Sequence, residues 1–147
     1  MRLPPLPRLV IEPTVRGALA EDLGRAGDVT SDAVIPEGTQ TEAVLRAREA
    51  GVAAGLEPAR LAFDLIDPSL AVEQTVSDGA EVAPGEVLMR VAGSARAILA
   101  AERVALNFAG RMSGIATQTR AVVDAIAHTP ARLVCTRKTT PGLRVFE

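Results

Sequence analysis

ARLVCTRKTTPGLRVFE, residues 131–147, is the stretch on which the fold class turns. ARLVC at 131–135 is a short apolar run of the kind found in parallel strands covered on both faces. A polar loop, TRKTT, follows it, and Pro141 then stands where a helix would place its first residue. Strand, loop and helix in that order predict the opening unit of an α/β architecture. About seven residues remain after the loop, too few for a helix that is stable without support. A parallel strand also needs neighbours, and the few residues after it supply none. The reading therefore predicts a second domain that lacks its larger part here.

The loop after a parallel strand is where α/β sheets and barrels place their ligands. Arg137 and Lys138 fall there, flanked by the hydroxyls of Thr136, Thr139 and Thr140. Lys138 is the only lysine, all other basic residues being arginines. Arginine offers a planar fork that grips a carboxylate with two bonds, whereas lysine offers a mobile point charge. A site holding both suits a polyanion. Arg144, one helical turn on, either adds a third cation or faces solvent.

Upstream, residues 94–127 contain no proline and carry helical periodicity, with Ser94 as the N-cap. Gly110 and Gly114 predict a break, giving one helix over 95–110 and another over 115–127. On the first of these Arg103 and Asn107, four apart, share a face. Residues 13–23 read as an amphipathic helix, with Val15, Ala18, Leu19 and Leu23 on one face and Gly24 as the stop. The proline-rich residues 1–8 read as an extended lead. Residues 24–39 are rich in Gly, Pro, Asp, Ser and Thr and read as loop. TEAVLRAR, 41–48, alternates as a half-buried strand. GVAAG is a short strand or tight turn, 57–66 is a helix closed by Asp67-Pro68, and 70–76 and 86–92 are strands. The fold class expected is an α+β first domain with a mixed, mostly antiparallel sheet, over 1–111. The start of an open α/β barrel follows over 112–147.

With 48% apolar and 23% charged residues, the balance is that of a folded globular protein. Aromatics make up 2% and the net charge is −2, so there is neither the stacking platform nor the basic footprint that nucleic-acid binding uses. No apolar run approaches the roughly 18–20 residues of a membrane span. The N-terminus is too proline-rich for the apolar centre of a signal peptide, so a cytoplasmic location is expected. Cys135 is the only cysteine and His128 the only histidine, which excludes an internal disulfide and a Cys/His metal cluster.

Three other features have a structural reading that outweighs the functional one. The carboxylates Glu21, Asp22 and Asp28 could serve a metal or a proton transfer, but Asp28 before Thr30 and Ser31 is a turn-forming and capping residue. Cys135 reads as a packed strand residue, and His128 as a helix-end residue facing the negative pole of its dipole. Residues 76–93, two turns around a short β run, resemble a biotinyl or lipoyl carrier hairpin. They contain no lysine to carry the group, which excludes that role.

Three segments together resemble quinolinate phosphoribosyltransferase, also called nicotinate-nucleotide pyrophosphorylase (carboxylating): ALAEDLGRAGDVTSDAVIP at 18–36, ERVALNFAGRMSGIAT at 102–117, and TRKTTPGLR at 136–144. The likeness runs from about residue 12 to the end. It implies an N-terminal α/β domain followed by an open α/β barrel. The implied substrates are quinolinate and phosphoribosyl pyrophosphate, with Mg²⁺, and the products nicotinate mononucleotide, pyrophosphate and CO₂. By that resemblance Thr136, Arg137 and Lys138 bind substrate, and Arg103 reaches into the site of the partner subunit in a homodimer or higher oligomer. No residue of this chain is assigned a catalytic or a metal-ligating role. The family's later His-Arg and Lys segments and its Mg²⁺ ligands are expected beyond Glu147, so the isolated chain is expected to be inactive. Cys135 departs from the Asp or Gly frequent at that position. Two other readings stand beside this one: a relative of the same fold found with molybdate transport genes, and a non-catalytic fragment that dimerises.

Overall fold

The computed structural model describes residues 6–147. Most of the proline-rich lead thus lies outside the described residues. Helix α1 spans Arg8–Leu23 and begins before the expected first turn, with Pro13 inside it. Pro13 cannot donate to the helix ladder, but Ile11, one turn short of Val15, is fully buried and anchors the first turn, while Leu9 and Val10 stay exposed. Arg8 and Arg16 each reach Glu12 at 2.7 Å, a pair of i,i+4 contacts along the outer face.

Residues 24–39, expected to be loop throughout, contain a short helix α2 at Val29–Val34. Asp28 caps it: its carboxylate accepts from the Ser31 backbone N–H at 3.1 Å and from the Ser31 hydroxyl at 2.6 Å. These bonds hold its carboxyl below the ordinary value, with the Ser31 hydroxyl the largest cause. The other end of α2 is closed from a distance, because the Arg96 guanidinium donates to the carbonyls of Asp32 and Ile35. The structural reading of Asp28 holds.

The strands follow the expected pattern. β1 (Gln40–Arg46), β3 (Ala71–Gln74) and β5 (Val87–Ser94) form an antiparallel sheet in the order β1-β5-β3. A two-stranded ribbon pairs β2 (Gly51–Val52) with β4 (Glu81–Val82). Ala43, Leu45 and Ala47 turn toward the core while Arg46 and Arg48 stay exposed, as the alternation predicts. Central strand β5 buries Leu88, Met89 and Val91.

Helix α3 (Leu56–Ile66) starts at Gly55, whose φ of 77° is left-handed. A Cβ there would sit 2.7 Å from the Phe108 carbonyl oxygen and 2.8 Å from Met112 Cβ, so only glycine permits this crossing of α3 and α4. The backbone N–H groups at its start, which have no partner within the helix, are met by Asp78, whose two oxygens accept from Gly55 and Leu56, each at 3.1 Å. Burial pushes the Asp78 carboxyl up, the two N–H groups opposing that shift.

The largest departure from expectation is α4, a single helix over Ala95–Ala125. Neither Gly110 nor Gly114 has a positive φ. Each glycine costs roughly 1 kcal/mol of helix propensity, and packing outweighs that cost. Ala101, Val104, Ala105, Phe108, Ala109 and Met112 form an unbroken buried stripe leading up to and past Gly110. Beyond Gly114, Thr117 accepts from the Val52 N–H at 2.9 Å. Ser113 both accepts from the Ala54 N–H at 3.0 Å and donates to the Ala54 carbonyl at 3.1 Å. The second half of the helix is thereby stitched to the β2 strand and the turn after it.

Residues 131–135 form no strand among the described residues and are exposed, contrary to the parallel strand expected there. Without neighbouring strands their backbone groups have no ladder to join. Pro141 likewise opens hydrogen-bonded turns, with Leu143 N–H on the Thr140 carbonyl and Phe146 N–H on the Leu143 carbonyl, and not a helix.

Candidate functional site

The residues singled out from the sequence occupy two places. Arg103 lies on the exposed side of α4, where its Nε donates to both carboxylate oxygens of Asp22 on α1, at 3.0 and 3.1 Å. Its side chain remains 59% exposed. Asn107 and Arg111 continue the same side of α4 at four-residue spacing. Asp22, Asn107 and Arg111 line a cavity of about 410 Å³ with Glu21, Phe108 and Leu143. The expected sharing of a face by Arg103 and Asn107 therefore holds.

Thr136, Arg137 and Lys138 form the second place, an exposed irregular turn. Arg137 has a φ of 61°, the left-handed region that a residue with a side chain occupies at a cost of about 1 kcal/mol. Its N–H donates to Cys135 Sγ at 3.2 Å. Cys135 is exposed, which corrects its reading as a packed strand residue. Its sulfur instead helps to close the turn. His128 is also exposed, past the end of α4. Among the described residues no hydrogen bond or ion pair engages the side chains of Arg137 or Lys138, and none joins either to Arg103. The two cationic groups are thus uncommitted, and the chain does not gather Arg103 to them.

One cluster was not legible as such in the sequence. Arg111 donates from Nε and Nη2 to Glu147 Oε1, at 2.9 and 2.6 Å, and from Nη2 to the Thr140 hydroxyl. The other oxygen of Glu147 accepts from the Thr140 backbone N–H at 2.9 Å. These bonds hold the Glu147 carboxyl below its ordinary value, the Thr140 N–H first and Arg111 next. Phe146 stacks obliquely on Phe108 with ring centres 5.3 Å apart. Arg111 lies within the conspicuous stretch 102–117, but a partner 36 positions away leaves no local signal.

Among the described residues there is no group of three or more His, Cys, Asp or Glu side chains placed to hold a metal ion. The described helices include none long and apolar enough to cross a membrane.

Comparison with known proteins bears on both places. Residues 28–113 match the family described as Quinolinate phosphoribosyl transferase, N-terminal domain, and residues 115–147 match its C-terminal domain. The chain is 46% identical over 144 residues to Quinolinate phosphoribosyltransferase [decarboxylating] 1 of Nicotiana glauca, covering 98% of this chain and 41% of that protein. It is 49% identical to the chloroplastic nicotinate-nucleotide pyrophosphorylase [carboxylating] of Oryza sativa subsp. japonica, of which it covers 38%. The crystal structure of NadC from Streptococcus pyogenes superposes with a TM-score of 0.90 at 37% identity, over 96% of this chain and 51% of that one. The chain thus spans about two fifths of the length of these curated relatives. An α+β domain with an antiparallel sheet, leading into the second domain of the family, is the architecture expected from the sequence.

Proposed function

Because the chain belongs to the quinolinate phosphoribosyltransferase family, we propose that it carries part of a site for quinolinate and phosphoribosyl pyrophosphate. The observation that supports this most directly is the exposed turn at 136–138, where two cations of different geometry stand side by side with no intramolecular partner among the described residues. A dicarboxylate meeting a pyrophosphate donor concentrates negative charge, and clustered cations hold both at reacting distance. In this reading the Arg137 guanidinium grips a quinolinate carboxylate with two bonds, and the Lys138 ammonium serves the second anion. Thr136 adds a hydroxyl.

The chemistry proposed for the whole protein follows from the charge flow. The pyridine nitrogen of quinolinate attacks the anomeric carbon of the ribose, the bond to pyrophosphate breaks, and pyrophosphate leaves with its electron pair. The ring is then a pyridinium, which takes up the electron pair released as the adjacent carboxylate departs as CO₂. A proton on that ring carbon completes nicotinate mononucleotide. Mg²⁺ would neutralise the pyrophosphate.

In the same proposal Arg103 serves the site of a partner subunit in a homodimer, which accords with its exposure on α4. The division into a first domain over 1–111 and a barrel domain from 112 places the junction inside α4, and the two family descriptions meeting between 113 and 115 support it. A cytoplasmic location belongs to the same proposal, although the rice relative is named as chloroplastic.

Titration of quinolinate into the purified chain tests the reading. Saturable binding that is lost in Arg137→Ala and in Lys138→Ala supports a retained half-site. Absence of binding favours a dimerising fragment without ligand affinity.

A further inference from the structure

We propose that Arg111 is a positioning residue for the turn that carries Arg137 and Lys138, acting from α4 through Glu147 and Thr140. The inference rests on the reading that this turn receives anionic substrate. Among the described residues nothing else in the turn is firmly held: Thr136, Arg137 and Lys138 are exposed, and the only ties nearby are the Arg137 N–H on Cys135 Sγ and the Arg144 Nε on the Thr139 hydroxyl at 3.1 Å. Thr140, two residues after Lys138, is the first point fixed to the body of the protein. Two trans peptide units span at most about 7 Å, so the stem of Lys138 starts within that distance of an immobilised backbone.

The anchor has the features of a clamp. Both oxygens of Glu147 are occupied, one by two nitrogens of Arg111 and the other by the Thr140 N–H. The Glu147 side chain is only 8% exposed whereas Arg111 is 47% exposed. Charge-assisted bonds of this kind are stronger than neutral ones, and the fork of arginine is pre-organised to make two at once. Phe146 on Phe108 and the partly buried Leu143 hold the same segment to α4 by apolar contact. The segment 140–147 is therefore a strap fastened to the helix, with the cationic turn at its leading end. Fastening it in advance spares the ordering cost that a free turn would meet on binding an anion.

The test uses the 147-residue chain, with Arg111→Gln and Glu147→Ala as the two variants. Glu147 lies outside the hydrophobic core, so its replacement leaves the core packing intact even if Arg111→Gln disturbs it. Amide exchange and ¹⁵N relaxation are measured across the chain, and quinolinate affinity in parallel. In both variants the Thr140 amide is expected to exchange at least about tenfold faster, residues 137–140 to lose order, and the amides of α3 and β5 to keep theirs. Quinolinate is expected to bind roughly tenfold more weakly, and Arg111→Lys to restore part of the protection. Retained order of 137–140 in Glu147→Ala overturns the inference, as does loss of order with affinity unchanged. If the unaltered chain binds no quinolinate, the substrate reading fails by itself, and the order measurements still decide whether Arg111 holds the turn.

Discussion

Arg103 is bound to Asp22 across two helices through its Nε, at 3.0 and 3.1 Å from the two carboxylate oxygens. Its terminal nitrogens make no hydrogen bond among the described residues. A carboxylate on α1 thus aims an arginine on α4 outward without using up its fork.

Replacing Asp22 by Asn is expected to release that aim at little cost in stability. The Arg103 end of the pair is open to solvent although Asp22 is half-buried, and pairs that reach solvent contribute up to about 1 kcal/mol. Urea denaturation is expected to show a change within that bound, while the Arg103 Nε–H resonance moves and its exchange with water quickens. An unchanged Nε–H signal would contradict the assignment of Asp22 as the orienting group.

How much of this was legible beforehand depended on the range of the interaction. The alternation in 41–48 and the periodicity of 57–66 are local, and both elements form as read. The cap role of Asp28 is also local. Gly110 and Gly114 misled because propensity is weighed residue by residue, whereas the stripe from Ala101 to Met112 and the bonds from Ser113 and Thr117 to β2 act together. Residues 131–135 have the composition of a buried parallel strand, yet a strand exists only with its neighbours. In the candidate site, Arg137 and Lys138 stood out through composition and Arg103 through resemblance. Asp22 and Glu147 could be recognised as partners only once the chain was folded.

Gly110→Ala and Gly114→Ala are each expected to stabilise the chain, by about 0.5–1 kcal/mol. Both glycines are exposed within a continuous helix, and a Cβ at either meets nothing within 4 Å. Thermal denaturation of the single variants checks this. A fall in the midpoint for either would show that its glycine serves close approach.

Gly55→Ala should act in the opposite direction. The added carbon meets the Phe108 carbonyl at 2.7 Å and the backbone must keep a φ of 77°. Overpacking and the left-handed conformation together are expected to cost about 2–4 kcal/mol, read as a lowered urea midpoint with an unchanged slope.

Ser113→Ala removes a hydroxyl that serves both the N–H and the carbonyl of Ala54. Leaving partly buried backbone groups unmet costs about 1–3 kcal/mol. The loss should appear in denaturation and, more locally, as faster exchange of the Ala54 amide.

Acid should loosen the strap at 140–147 later than an ordinary glutamate would allow. The Thr140 N–H and Arg111 hold the Glu147 carboxyl below its usual 4.5. A carboxyl depressed in the folded state contributes stability that is complete above the unfolded value and is lost as pH falls through the lowered one. The Thr140 amide and the Phe146 ring signals are expected to keep their docked positions at pH 4.5 and to shift only at lower pH. A midpoint at or above 4.5 would mean that the carboxylate is not held as described.

The unbroken course of α4 has a mechanical consequence. Arg103 and Arg111 sit on one rod, eight residues and so roughly 12 Å apart along its axis. Whatever tilts that rod moves Arg103 and the residue that fastens the segment 140–147 by the same rotation. Inserting a single residue between them would swing one about 100° out of phase with the other. The helix therefore behaves as a camshaft, with the angular setting of two arginines cut into one piece.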